Sequence, residues 1–119
     1  KKKTKKKVVQ IKEKNSIKYA PKLVDSIWAT ARELKMREFI HRAKYEIRDD
    51  HLPLNDIAHI PTCDIIDFDY GPRSRPYWHT MKDIPANCSG ASIAKVGQVL
   101  LKWLTQVPQP KVGRRRVKN

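Results

Sequence analysis

Apolar residues recur at helical spacing in two separate stretches of the chain. The first stretch runs from Pro21 to about Lys35, and its apolar positions share one face: Leu23, Val24, Ile27, Trp28, Ala31 and Leu34. A proline suits the first turn of a helix because its missing N–H would have no partner there. The spacing therefore predicts an amphipathic helix over residues 21–35.

The second stretch begins near Ser89, a typical N-cap residue, and runs to about Gln106. Its apolar stripe consists of Ile93, Val96, Val99, Leu100, Trp103, Leu104 and Val107. Pro108 and Pro110 cannot continue a helix, so the pattern predicts a second amphipathic helix that ends before them.

Between the two helices the pattern favours short strands. Lys44–Arg48 alternates loosely between polar and apolar residues and predicts a short strand. Thr62–Phe68 is rich in β-forming residues and predicts a buried strand that carries Asp64 and Asp67. An edge strand with both acids facing solvent is the alternative.

The rest of the middle region reads as loop. Residues 49–60 have room for one helical turn, and residues 69–76 contain a glycine and two prolines that predict irregular structure. Two strands and two amphipathic helices would leave sheet edges and a helix face uncovered. We therefore expect an α/β fold that is part of a three-layer αβα sandwich, formed by residues 15–107.

The net charge of +14 is concentrated at the two ends of the chain. Residues 1–14 hold eight Lys and one Glu, and residues 111–119 hold five Lys or Arg and no acid. Like-charge runs usually stay solvated and disordered. Residues 1–14 and 108–119 are therefore predicted to be basic, low-complexity tails, while the central region is nearly neutral.

The tails raise an alternative function, a noncatalytic basic module that binds nucleic acid or acidic surfaces. No aromatic residue lies within Lys1–Lys7 or Arg114–Arg116, so the tails offer no base stacking and the sequence does not favour a nucleic-acid partner. No apolar run approaches the roughly 20 residues of a membrane span, and no signal-peptide pattern follows the Lys-rich start. Two cysteines, Cys63 and Cys88, form no disulfide framework.

Acidic and imidazole side chains follow the predicted strands. Asp49, Asp50 and His51 come after the first strand, Asp64 lies in the second, and His79 follows the next loop. Ligands of α/β sheets bind at the carboxyl ends of strands, and carboxylates with imidazoles are the ligands that zinc uses. Each residue also has a plainer interpretation. The two aspartates could cap a turn or short helix, and the histidines could be hydrogen-bonded loop residues.

Three runs in order resemble the C-terminal end of zinc aminopeptidases and glutaminyl-peptide cyclotransferases: Asp49–Leu54, Ile60–Asp67 and Tyr77–Asp83. The resemblance covers roughly residues 15–107 and implies a zinc-exopeptidase fold. It also implies zinc as cofactor, a peptide substrate and a secreted or periplasmic parent protein.

The resemblance assigns roles to four residues. It implies that His79 is a zinc ligand and that Trp78 borders the substrate pocket. Asp49 maps onto the active-site hydrogen-bond network of the cyclases, a catalytic role. Asp64 stands where animal-type cyclases have a histidine that contacts the reaction centre, which keeps aminopeptidase chemistry open.

The other zinc ligands and the catalytic glutamate of this family lie upstream of the residues present in the chain. A catalytic zinc needs about three protein ligands, so His79 alone cannot hold it. The expectation is therefore a C-terminal portion of an exopeptidase or cyclase, inactive alone and completed by a missing N-terminal portion.

Overall fold

The computed structural model describes residues 8–108, which form two short strands and four α-helices. In chain order these are β1 (Gln10–Lys12), α1 (Lys14–Tyr19), α2 (Pro21–Glu33), β2 (Phe39–Ala43), α3 (His51–Asp56) and α4 (Gly90–Gln106), with a 3₁₀ turn at Pro85–Asn87. The strands pair in parallel, with Gln10 opposite Phe39, and α1 and α2 form the connection between them. The result is a partial α/β fold, as predicted.

The core lies on the buried face of α2. Val24, Ile27, Trp28 and Ala31 of this helix are buried together with Phe39 of β2. The Trp28 ring meets the Phe39 ring edge-on at 5.2 Å, and its Nε1 donates a hydrogen bond of 2.9 Å to the carbonyl of Ile40. The predicted amphipathic stripe is therefore the surface that joins α2 to the sheet.

Helix α4 packs against α2 and closes the core through Val99. The Ser89 hydroxyl caps α4 by accepting from the Ser92 amide at 3.2 Å, which confirms the predicted start. The Trp103 indole donates to the Ser26 hydroxyl at 2.9 Å across the two helices. Both predicted long helices are thus present, although α2 ends at Glu33 rather than Lys35.

The strand predicted at Lys44–Arg48 is wrong, because the strand lies at Phe39–Ala43. Tyr45 adopts a left-handed backbone conformation with φ 59°, which interrupts an extended run. The buried apolar residue that fixes the strand is Phe39, at its start.

The strand predicted at Thr62–Phe68 is also absent, since this segment makes no strand pairing. The Asp64 amide donates instead to the Ser16 hydroxyl at 2.9 Å. Backbone groups of an extended segment form a strand only beside another strand, and the described sheet has two members. Residues 49–60 do contain a helix, α3, which is longer than a single turn.

The ordered elements begin earlier than the charge pattern predicts. Gln10–Lys12 form β1 and Lys14 opens α1, although both lie in the predicted disordered tail of residues 1–14. Val9 and Ile11 are apolar and partly buried, and a prediction based on net charge does not take them into account. The predictions for residues 1–7 and 109–119, including their binding to nucleic acid or acidic surfaces, lie outside the described residues.

One face of α4 remains uncovered. Ile93 and Leu104 of the predicted apolar stripe are exposed along it together with Leu101, so this part of the stripe is not buried. Within residues 8–108, no helix is long and apolar enough to cross a membrane. Both cysteine thiols are free, and burial raises the pKa of the half-buried Cys63 to about 11.

The core can be tested by comparing one substitution at two sites. Ile27→Val deletes a methylene from a side chain that is 3% exposed and should lower the free energy of unfolding by about 0.5–1.5 kcal/mol. The same change at Ile57, which is 76% exposed, should stay within about 0.5 kcal/mol. Urea unfolding followed by far-UV circular dichroism measures both, and equal losses would place Ile27 outside the core.

Candidate functional site

A row of aromatic rings leads from the scaffold to the predicted site residues. Tyr45 packs on Phe68 with ring centroids 4.9 Å apart, and Phe68 packs on Trp78 at 4.8 Å. Trp78 then stacks almost parallel on the imidazole of His79 at 3.8 Å. The left-handed Tyr45 is held by its hydroxyl, which donates to Asp69. Trp78 and His79 are therefore supported from below by packed rings.

Trp78 and His79 are presented at the surface. Trp78 is 46% exposed and therefore lies at the surface rather than in the core. His79 is exposed and has a left-handed backbone conformation with φ 54°. Such a conformation is uncommon outside glycine and is typical of turns and functional sites. An exposed imidazole on an exposed indole is suited to contact a ligand.

The loop before this pair is closed by its own contacts. The Tyr77 amide donates to the Tyr70 carbonyl at 3.1 Å, and the Tyr70 hydroxyl donates to Asp83. Gly71 sits between them with φ 100°, and a Cβ there would lie 2.9 Å from the Tyr77 ring. Glycine is required by both the conformation and the space. These contacts thereby fix the position of Trp78, which follows Tyr77 directly.

A second set of polar residues is buried beneath α1 and α3, and Glu13 is its centre. The Glu13 side chain caps α1 by accepting from the amides of Asn15 and Ser16, both at 2.7 Å. It also accepts from the Ser16 hydroxyl at 3.0 Å and from the Ile47 amide at 3.0 Å. Burial by itself would raise the pKa of this carboxyl, but the hydrogen bonds prevail and hold it below its ordinary 4.5.

His51 lies between Glu13 and Asp64. Its Nε2 is 2.8 Å from Glu13 Oε1, and its Nδ1 is 3.3 Å from Asp64 Oδ2. His51 is 1% exposed, so the interpretation as a hydrogen-bonded residue is correct, although it opens a helix rather than lying in a loop. Asn55 of α3 bonds the amide and carbonyl of Thr62, which seats the segment carrying Asp64 beside His51.

Asp49 lies at the entrance of α3. Its Oδ1 accepts from the Asp50 amide at 2.7 Å, and its carbonyl accepts from the Leu52 amide at 3.0 Å. Both aspartates therefore do start a short helix, the plainer interpretation of this pair. Burial, and the charges of Asp49, Glu13 and Asp50, raise the pKa of Asp64 despite the opposing effect of His51. Asp49 is thus close enough to Asp64 for its charge to affect the pKa of Asp64.

Residues 2–104 match the family described as Peptidase family M28. The chain belongs to this family. No curated protein matches the chain, whereas several solved structures of zinc exopeptidases and glutaminyl cyclases do. The zinc-exopeptidase family expected from the three motifs is thereby confirmed.

Three of these structures show the extent of the likeness. A glutaminyl cyclase from Tannerella forsythia is 32% identical with a TM-score of 0.76, over 85% of this chain and 36% of its own. A leucine aminopeptidase precursor from Bacteroides thetaiotaomicron is 30% identical with a TM-score of 0.76, over 87% and 35%. A Zn-dependent exopeptidase from Parabacteroides distasonis is 33% identical with a TM-score of 0.72, over 82% and 35%. The chain thus spans about a third of their length.

The M28 assignment raises the question of which residues here could hold zinc. Among residues 8–108, three potential ligands converge in one group, Glu13, His51 and Asp64, whose ligand atoms lie within 4.8 Å of one another. Glu13 already accepts four hydrogen bonds, which use the roughly four lone-pair sites of a carboxylate, and His51 Nε2 contacts one of the same oxygens. This group is therefore a hydrogen-bonded network. His79 is not part of it, so the described residues do not complete a zinc site around His79.

Sequence reasoning missed Glu13 as the centre of this buried network. It was assigned to the basic tail because eight lysines surround it in residues 1–14. A signal was present, since a lone acid stands three positions before Ser16, at the start of a helix. An acidic N-cap is favoured there because it accepts from the free amides of the first turn.

The ionised state of Glu13 should appear in the acid stability of the domain. Its folded pKa lies below the ordinary 4.5, so its contribution is full above about pH 4.5 and is lost as pH falls through the folded pKa. Glu13→Gln should lower the free energy of unfolding by roughly 1–3 kcal/mol at pH 7, because the new NH₂ group would face the N–H and O–H donors that now bond the carboxylate. It should also make stability less dependent on acid pH.

Urea unfolding at a series of pH values between neutrality and pH 3 measures both effects. The matched control is Glu46→Gln, since Glu46 is exposed and its substitution should change stability by less than about 0.5 kcal/mol. A Glu13→Gln protein with an unchanged acid profile would show that the carboxyl is not ionised in the fold.

Proposed function

We propose that this chain is the C-terminal part of a zinc-dependent M28 enzyme that acts at the N-terminus of peptides, as an aminopeptidase or as a glutaminyl cyclase. The observation that carries the proposal is the exposed Trp78–His79 pair, stacked at 3.8 Å on an aromatic support in a chain of this family. The similar solved structures include a leucine aminopeptidase precursor and a glutaminyl cyclase, and both support a reaction at the peptide N-terminus.

The proposal gives each predicted residue a place. His79 supplies one zinc ligand, and Trp78 beside it forms an apolar wall against the substrate. Asp64 reaches the surface with 16% of its side chain exposed and faces the substrate. Asp49 takes part in proton sharing with a catalytic carboxylate supplied from outside residues 8–108. A carboxylate in such a role requires a pKa tuned by its surroundings, as burial and the neighbouring acids raise the pKa of Asp64 here.

The remaining ligands come from another portion of the enzyme. A catalytic zinc takes about three protein ligands and keeps one position open, and His79 is one donor. The exposed apolar face of α4 and the short two-stranded parallel sheet are surfaces that a complete sandwich covers. We infer that the N-terminal portion of the fold covers them and that the chain alone is inactive.

The chain alone should bind zinc weakly through His79. After dialysis against zinc-free buffer, much less than one equivalent should remain. The chain should release no N-terminal residue from peptides and form no N-terminal pyroglutamate. His79→Ala should weaken the residual zinc affinity, as measured by calorimetric titration. His59→Ala is the matched control, because His59 is also exposed and also left-handed, with φ 53°. Stoichiometric zinc retention by the chain would overturn this expectation.

A chimera tests the function itself. Residues 8–107 would replace the matching C-terminal part of the Tannerella forsythia glutaminyl cyclase, which keeps that enzyme's own N-terminal portion. The chimera should hold zinc and act on peptides, with two assays separating release of the N-terminal residue from cyclisation of N-terminal glutamine.

Substitutions in the chimera decide whether this chain contributes the metal ligand. His79→Ala should lower zinc content and activity by more than the roughly 10–100-fold that an outer-shell change costs. His59→Ala should leave both unchanged. A folded, zinc-loaded chimera that is inactive in both assays would refute the proposal, as would full zinc content after His79→Ala.

A further inference from the structure

We propose that His51 is a positioning residue that carries a proton on each ring nitrogen, one held by Glu13 and the other holding the carboxyl of Asp64. The importance of Asp64 for substrate rests on the function proposed above. The arrangement of protons rests only on the buried geometry of these three residues.

The first proton is located by the hydrogen bonds of Glu13. Oε2 accepts from the amides of Asn15 and Ile47, and Oε1 accepts from the amide and hydroxyl of Ser16. Backbone amides can only donate, so the carboxylate has no place for a proton of its own. The 2.8 Å contact from His51 Nε2 to Oε1 therefore has its hydrogen on the nitrogen.

The second proton follows from the other side of the ring. Nδ1 of His51 and Oδ2 of Asp64 are both buried and lie 3.3 Å apart, and neither atom has a hydrogen-bond partner within the described chain. Without a proton between them, two lone pairs would face each other where water cannot intervene, which is costly. A proton on Nδ1 converts this contact into an attraction between opposite charges.

Acidic side chains surround His51. Glu13 approaches from the start of α1, and Asp64 approaches from the segment after Thr62. The charges of Asp49 and Asp50, immediately before α3, also act on Asp64. Cys63, next to Asp64, is a thiol with a raised pKa and adds no charge at neutral pH.

The consequence is a fixed orientation for Asp64. Its Oδ2 is drawn inward to His51, and its backbone amide is held by the Ser16 hydroxyl, which itself donates to Glu13. The exposed part of the Asp64 side chain is thereby held in one orientation. His51 is too deeply buried to touch a substrate, so it acts through Asp64.

Nitrogen-15 NMR of the full chain, labelled at histidine, tests the proton positions at pH 7. The two ring nitrogens of an imidazolium resonate close together, whereas those of a neutral ring are widely separated. His51, assigned by connecting its ring signals to its backbone amide in the wild-type chain, should show the imidazolium pattern. Asp64→Asn should convert it to the neutral pattern, while Asp56→Asn, an exposed control on α3, should not.

Hydrogen exchange tests the positioning. His51→Gln should accelerate exchange of the Asp64 amide by at least about tenfold, as expected from the loss of a buried charge pair, and leave α4 unchanged. The proposal would be overturned by a neutral His51 in the wild-type chain, or by ring-nitrogen signals that stay unchanged in Asp64→Asn. Neither measurement needs the His51→Gln protein to fold. Unchanged Asp64 exchange in a folded His51→Gln protein would also overturn it. None of these readouts depends on zinc or peptidase activity, so the proposed function can fail independently.

Discussion

The site depends on the constraint that a buried carboxylate must have its lone pairs satisfied. Glu13 meets it by accepting four hydrogen bonds, from the first turn of α1 and from the Ile47 amide, and its Oε1 also contacts His51 of α3. These donors come from segments far apart in the chain. Satisfying the carboxylate therefore requires those segments to be in place together, and the cost of breaking one contact is the desolvation of a charge.

The predicted functional residues are attached to the helices and strands by two independent means. Asp64 is joined to α1 and α3 by polar contacts through Ser16 and His51. Trp78 and His79 are supported by ring stacking from Tyr45 and Phe68, with Gly71 allowing the loop to close. Rigid support for long surface segments is what a preorganised site needs, because few of their backbone groups form regular structure.

The sequence predicts well what depends on local periodicity. The stripes that include Ile27 and Val99 give both long helices, since each stripe carries its own burial signal. It fails where the decisive partner is remote. Phe39 defines β2 through its contact with Trp28, the segment after Thr62 is ordered by Ser16 and Asn55 without strand pairing, and Glu13 is buried by residues more than thirty positions away. No local pattern encodes such contacts.

The proposed need for outside zinc ligands and the uncovered apolar surface have one physical explanation. A three-layer sandwich covers both faces of its sheet, and within the described residues two parallel strands pair with each other while one face of α4 stays exposed. Ligands at the carboxyl ends of strands are contributed by several strands, and under the proposed function strands outside residues 8–108 supply the other zinc ligands. The Glu13–His51–Asp64 network needs no such contribution, since all of its partners lie within the described residues. The scaffold of the site is therefore self-contained even though the proposed zinc chemistry is not.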